Sequence, residues 1–86
     1  GASCTVGAGA RLDAAVLFDG AQVHDGAVVT RSVVGRGAVV GAGCVVEDAV
    51  LGDGVQLGSH NELRAGVRIW PGVWLGEAAV RFSSDV

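Results

Sequence analysis

The chain has 86 residues, of which half are hydrophobic, with six arginines, no lysine, nine acidic residues and a formal net charge of −3. The charges are scattered singly, so we expect neither nucleic acid nor a membrane surface as a partner. The apolar runs are short and are interrupted by Gly or Asp, so we expect no transmembrane helix and no signal peptide.

An internal repeat organises the chain. Residues 23–39 and 40–56 match almost position for position, with Val23 over Val40 and Gly26 over Gly43. Within each unit an aliphatic residue, followed by Gly or an acid, recurs every five or six positions. This short period is typical of a parallel β-helix, in which each hexad forms one short strand and one corner. Stacked coils bury a core that so short a chain could not otherwise build.

The repeat predicts an all-β fold, a parallel β-helix of about five triangular coils of 17 or 18 residues. The predicted coils are residues 6–22, 23–39, 40–56, 57–74 and a partial coil with a C-terminal cap, 75–86. The glycines suit corners that need positive φ. Nothing after the GxG patterns looks helical, so we interpret them as corners and not as phosphate-binding loops.

The two cysteines, Cys4 and Cys44, occupy small positions of their hexads. We interpret both as buried thiols. They lie several coils apart, at about 4.8 Å per coil, and are therefore too distant to form a disulfide. Unpaired cysteines favour a reducing compartment, so we expect a cytoplasmic protein.

The polar residues do not predict a catalytic, metal or cofactor site in this chain. A zinc site needs at least three converging protein ligands, whereas His24 and His60 are the only histidines and fall two coils apart. Glu47 and Asp48 are neighbours, whose side chains diverge on a strand or corner. We interpret all four residues as solvated corner positions.

Five apolar residues form a candidate interface with another subunit or domain. Phe18 follows an inward aliphatic residue and is therefore expected to point outward. If the equivalent positions of the first hexad face out, Val28 and Val45 form an apolar strip, which Trp70 and Trp74 extend. The alternative is that these are isolated surface residues of an ordinary kind.

The repeat ends in the tail LGEAAVRFSSDV, where Phe82 is predicted to fold over the last coil as a cap. A terminal coil otherwise leaves its apolar cross-section and strand edges exposed. The start of the chain has no comparable cap. We therefore expect residues 1–86 to be a single domain of a longer protein.

The segments SVVGRGAVVGAGCVVEDAVLGDGVQLG and VRIWPGVWLGEAAVRFSSDV resemble the C-terminal β-helix domain of sugar-nucleotide pyrophosphorylases. The similarity is greatest to the bacterial mannose-1-phosphate guanylyltransferases, also called GDP-mannose pyrophosphorylases, and covers nearly the whole chain. The hexads are shared by many families, while the PG and RFSSD elements of the tail are more specific. The resemblance implies a left-handed helix.

In that family an N-terminal domain carries catalysis and its Mg²⁺, and none of its motifs occurs here. The resemblance implies that this chain serves homo-oligomer assembly, packing against its own catalytic domain, and regulation. Two alternatives stay open. One is a fragment of a hexapeptide-repeat acyltransferase, although coils of 17 or 18 residues leave no room for the extruded loop of such enzymes. The other is a purely structural repeat.

Overall fold

The computed structural model describes residues 3–64 and 66–78 and confirms the predicted all-β parallel β-helix. The described residues form three parallel sheets of very short strands, wound into about four turns. This architecture is consistent with a left-handed β-helix. The predicted cap residue, Phe82, lies outside the described residues. Within those residues, no helix has the length and apolar character needed to cross a bilayer.

Each turn of the chain contributes one strand to each sheet. Sheet A has the order β1-β4-β7-β10-β13, and its strands are Thr5–Val6, Gln22–Val23, Val39–Val40, Gln56–Leu57 and Trp74–Leu75. Sheet B contains β2, β5, β8 and β11, which are Arg11–Asp13, Val28–Thr30, Val45–Glu47 and Glu62–Leu63. Sheet C contains β3, β6, β9 and β12, which are Val16–Leu17, Val33–Val34, Val50–Leu51 and Arg68–Ile69.

The strand register confirms the period read from the sequence. Val6 pairs with Val23, and Val40 pairs with Leu57. Each predicted coil therefore begins within a strand of sheet A. The additional residue of the fourth coil lies in the corner between β11 and β12, because Glu62 pairs with Val45, 17 positions earlier, whereas Arg68 pairs with Val50, 18 positions earlier.

The core is a set of vertical stacks of aliphatic side chains inside the triangular coil. Because side chains alternate along a strand, one residue of each short strand points inward and stacks on its equivalent in the next coil. The buried aliphatic stacks contain Val23, Val40 and Leu57 from sheet A, Val29, Val46 and Leu63 from sheet B, and Val34 and Leu51 from sheet C. Each such burial contributes roughly 1.5–3 kcal/mol.

The corners are closed by aspartates that reach back to the preceding coil. Asp25 Oδ1 accepts the backbone N–H of Ala8, and Asp53 Oδ1 accepts that of Arg36, both at 2.9 Å. Glycine precedes each of these N–H groups for a steric reason. A Cβ at Gly35 would lie 2.7 Å from the backbone N of Asp53, which is closer than a Cβ can approach backbone.

Two buried polar side chains satisfy backbone carbonyls at other corners. Ser32 donates to Thr30 O at 2.7 Å and accepts the N–H of Ala49 at 3.1 Å. Asn61 is fully buried, and its Nδ2 donates to Gly58 O at 2.8 Å and to Gly76 O at 2.9 Å. Buried carbonyls need such donors. Asn61 thereby joins the fourth coil to the fifth.

We predict that Asn61→Ala destabilises the chain by about 1–3 kcal/mol, because it withdraws two donors from buried carbonyls. Alanine fits the position sterically, since Ala27 occupies it two coils earlier. Urea unfolding followed by circular dichroism measures the change. Gln56→Ala, an exposed position on sheet A, is the control and should alter stability by less than about 0.5 kcal/mol. Equal changes in the free energy of unfolding for Asn61→Ala and Gln56→Ala would contradict the stabilising role of the Asn61 hydrogen bonds.

Candidate functional site

The five residues of the predicted interface lie on one corner and on two faces of the triangular β-helix. Phe18 and Trp70 begin the corner between sheets C and A. Trp74 lies on the outer face of sheet A, while Val28 and Val45 lie side by side on sheet B. The structure therefore brings Phe18 and Trp70 into one column and Val28 and Val45 into another. That these residues bind another subunit or domain stays a prediction.

The two tryptophans and Phe18 are well exposed. Trp70 has 80% of its surface accessible and Trp74 has 72%. Val28 and Val45, in contrast, are half-buried. The strip predicted on sheet B is therefore a less accessible apolar surface than the corner that carries Phe18 and Trp70.

Sheet C carries an outward apolar column that the sequence analysis missed. Val16, Val33 and Val50 are equivalent residues of successive strands and point away from the core. Val16 is 49% exposed and Val50 is 41% exposed, whereas Val33 between them is half-buried. The column could have been found by writing the second hexad of each repeat below the last, because Val16, Val33 and Val50 are spaced by one coil.

A shallow apolar groove lies where this column meets Trp70. It has a volume of about 240 Å³ and is lined by Val50, Gly52, Arg68, Ile69, Trp70 and Pro71. A second niche, of about 280 Å³, lies at the opposite end of the same corner. Phe18, Arg36 and Asp53 line it. Sheet C and this corner therefore form one continuous surface with an aromatic residue near each end.

Glycines form the floor between the two aromatic side chains. The column that begins with Phe18 continues with Gly35 and Gly52 and ends with Trp70. A Cβ at Gly52 would lie 2.6 Å from the backbone N of Pro71, so this position excludes a side chain.

The histidines do not form a metal site in the described part of the chain. His24 and His60 lie on the corner between sheets A and B, two coils apart. His60 Nδ1 lies 3.8 Å from Glu77 Oε2, and its ring covers Gly43. Within residues 3–64 and 66–78, no three His, Cys, Asp or Glu side chains converge on one point.

The two adjacent acids each pair with an arginine of a neighbouring coil. Asp48 accepts two hydrogen bonds from Arg31, at 2.8 and 3.0 Å. Glu47 instead contacts Arg64 at 3.4 Å. The side chains diverge, as the alternation along a strand predicts. The hydrogen bonds from Arg31 lower the pKa of Asp48. Arg31 and Asp48 both have positive φ.

The cysteines lie on different corners and in different environments. Cys4 precedes β1 and is half-buried, with its Sγ 3.2 Å from Phe18 O. Cys44 precedes β8 and is buried, and its Sγ donates to Gly58 O at 3.0 Å. Burial raises the pKa of the Cys44 thiol. Both thiols are free, as predicted.

Comparison with known proteins identifies the family. The family model GMPPB C-terminal domain matches residues 1–80. The chain belongs to this family. It is thus the C-terminal β-helix domain of a pyrophosphorylase of the GMPPB type, as its hexads and tail indicated. Neither the search of curated proteins nor that of solved structures gave a match.

We predict that the two thiols of this GMPPB-type domain differ in reactivity. The thiolate is the reactive form, and the raised pKa of Cys44 lowers its thiolate fraction near neutral pH. Labelling with iodoacetamide at pH 8, followed by mass spectrometry, should modify Cys4 first and Cys44 only after unfolding. Cys4→Ser is the control and should leave a chain that is not labelled while folded. Rapid labelling of that variant would contradict the burial of Cys44.

The Arg31–Asp48 pair predicts a dependence of stability on pH. Because the folded pKa of Asp48 lies below its unfolded value, the pair contributes stability above the unfolded pKa. That contribution is lost as the pH falls through the folded pKa. Asp48→Asn should therefore destabilise the chain at pH 7 and have a smaller effect at acidic pH, measured by urea unfolding at both. Asparagine tolerates positive φ, so the backbone is preserved.

A pH dependence that is the same in Asp48→Asn and in the unmodified chain would show that the pair does not stabilise the fold.

Proposed function

We propose that this chain is the supporting domain of a nucleotidyltransferase that makes a GDP-mannose-like nucleotide sugar from a nucleoside triphosphate and a sugar 1-phosphate. The match of the GMPPB C-terminal domain model to residues 1–80 carries the proposal. The catalytic step and its Mg²⁺ belong to an N-terminal domain of the longer protein. This chain serves subunit assembly and packing against that domain in the cytoplasm, and provides a surface for regulation.

The first described coil has inward apolar residues that no other coil covers, and this supports packing against another part of the longer protein. Val6 and Leu12 point toward the interior, yet they are 47% and 40% exposed. Their equivalents one coil later, Val23 and Val29, are buried. The end of the solenoid at the first coil therefore presents part of its apolar cross-section to solvent. Contiguous apolar surface of this kind marks sites of contact with other protein.

No structural feature of the described residues favours the acyltransferase alternative. Every corner between described strands has two or four residues. The loop that such enzymes extrude from a coil is therefore not formed in residues 3–64 and 66–78. A repeat that is purely structural is disfavoured by the family match.

The longer protein that contains this domain tests the proposed function. We expect it to convert GTP and mannose 1-phosphate to GDP-mannose and pyrophosphate, measured by pyrophosphate release with product identification by mass spectrometry. Removal of Mg²⁺ with EDTA should abolish the reaction, and addition of Mg²⁺ should restore it. The isolated 86-residue chain should release none.

Replacement of GTP and mannose 1-phosphate by other nucleoside triphosphates and sugar 1-phosphates defines the specificity. A longer protein that forms no nucleotide sugar from any such pair would refute the proposed function.

A further inference from the structure

We propose that the charged outer face of sheet B binds the same face of a second copy of this chain. The two solenoids run antiparallel, related by a twofold axis that lies parallel to the strands of sheet B and passes between the second and third coils. The inference rests on the subunit assembly proposed above and assigns a charged surface to it.

Two columns of outward side chains form the outer face of sheet B. Side chains alternate along each strand, so the inward column that contains Val29 and Val46 lies between them. One outward column contains Arg11, Val28, Val45 and Glu62. The other contains Asp13, Thr30, Glu47 and Arg64. Every outward position of sheet B is therefore charged or polar, except for the two valines at its centre.

The charges at the two ends of this face are opposite at equivalent positions. The first coil carries Arg11 where the fourth carries Glu62. In the second column the first coil carries Asp13 where the fourth carries Arg64. Reversal of the coil order therefore changes the sign of all four charges. A face with this property is complementary to itself.

The proposed axis uses this complementarity. It places the first coil of one chain against the fourth coil of the other. Arg11 then lies opposite Glu62 of the second copy, and Asp13 lies opposite Arg64. The twofold axis repeats both contacts, so the dimer contains four ion pairs. Complementary charges of this kind specify the orientation of partners.

The charges of the first coil are free to pair with a second copy. Both Arg11 and Asp13 are exposed. Within residues 3–64 and 66–78, neither side chain forms an ion pair, although Arg31 attracts Asp13 at longer range. A second copy would therefore give both side chains a partner without breaking an ion pair within the first coil.

The centre of the face favours the antiparallel arrangement over the parallel one. In the antiparallel dimer Val28 of each chain contacts Val45 of the other, and the Thr30 hydroxyl lies opposite the Glu47 carboxylate. A twofold axis along the solenoid would instead exchange the two columns within each coil. It would also oppose unlike charges at the ends, but it would place Val45 against Glu47. An apolar partner leaves a carboxylate without the hydrogen bonds that it needs.

Sedimentation equilibrium of the 86-residue chain, from about 10 µM to about 1 mM, tests the interface. The face is small compared with the roughly 800 Å² per partner of stable complexes, so the range includes weak association. We expect a monomer–dimer equilibrium whose dissociation constant rises with salt, because ions screen exposed charges.

Two charge-exchange variants test which face associates. The first combines Arg11→Glu with Asp13→Arg, and the second combines Glu62→Arg with Arg64→Glu. Neither variant changes the net charge of the chain. Each opposes like charges at all four contacts of its own dimer, so each should raise the dissociation constant at least about tenfold.

An equimolar mixture of the two variants provides the decisive measurement. In a dimer of one chain of each kind, all four contacts again join opposite charges, two with the original polarity and two reversed. We expect the mixture to associate as the unmodified chain does. A chain that is monomeric up to about 1 mM would overturn the proposal. So would dissociation constants that the variants leave unchanged, or a mixture no more associated than its components.

A matched control places the same kind of charge change on another sheet. Gln22 and Gln56 are exposed on sheet A, and Gln22→Arg with Gln56→Glu also preserves the net charge. This variant should associate as the unmodified chain does. Circular dichroism confirms that each variant is folded. Equal loss of association in the sheet A and sheet B variants would overturn the proposal.

Disulfide formation tests the orientation of the two copies. In a Cys4→Ser background, Val28→Cys chains are mixed with Val45→Cys chains and oxidised. We expect disulfides that join position 28 of one chain to position 45 of the other, identified by mass spectrometry of the digested dimer. Preferential disulfides between identical positions would overturn the antiparallel arrangement.

The association measurements are independent of the enzymatic test. A chain that dimerises through sheet B, within a longer protein that makes no nucleotide sugar, refutes only the proposed function. A longer protein that makes GDP-mannose, with association that the charge-exchange variants do not change, refutes only the interface.

Discussion

The parallel pairing of each coil with the next is the constraint on which the whole structure depends. Strands of two or three residues cannot form a stable sheet or enclose a core by themselves. The hydrogen-bonded ladder between coils therefore supplies both the sheet and the core. It places every inward side chain on its equivalent one coil away, as Val29 lies beside Val46. An insertion within a strand would shift all later pairings. The one additional residue is accommodated in a corner, where it leaves the ladder intact.

The same register organises the polar groups. Ion pairs and capping hydrogen bonds connect residues one coil apart, as in Arg31 with Asp48 and Asp53 with the N–H of Arg36. Corners carry backbone groups that the sheets leave unpaired, and buried side chains such as Asn61 satisfy some of them. The corners therefore also join successive coils through hydrogen bonds and ion pairs.

Equivalent residues of successive coils lie side by side, so each outward position of the repeat forms a column on the surface. One choice per coil decides whether neighbouring positions of a face are apolar, as with Val16, Val33 and Val50 on sheet C. In the GMPPB-type domain this gives two distinct apolar regions, the exposed cross-section of the first coil and the column beside Phe18 and Trp70.

The amino-acid sequence by itself determined the coil period, the three-sheet architecture and the inward residues, because these depend on spacing that is local and repeated. Its tail also indicated the family. Only the tertiary structure decided which columns share a face. Val28 and Val45 proved to be half-buried on sheet B, while the column of Val16, Val33 and Val50 was missed. The physical reason is that exposure of an outward side chain depends on neighbours 17 positions away and across a corner. Those neighbours are fixed by the long-range register and not by the local pattern.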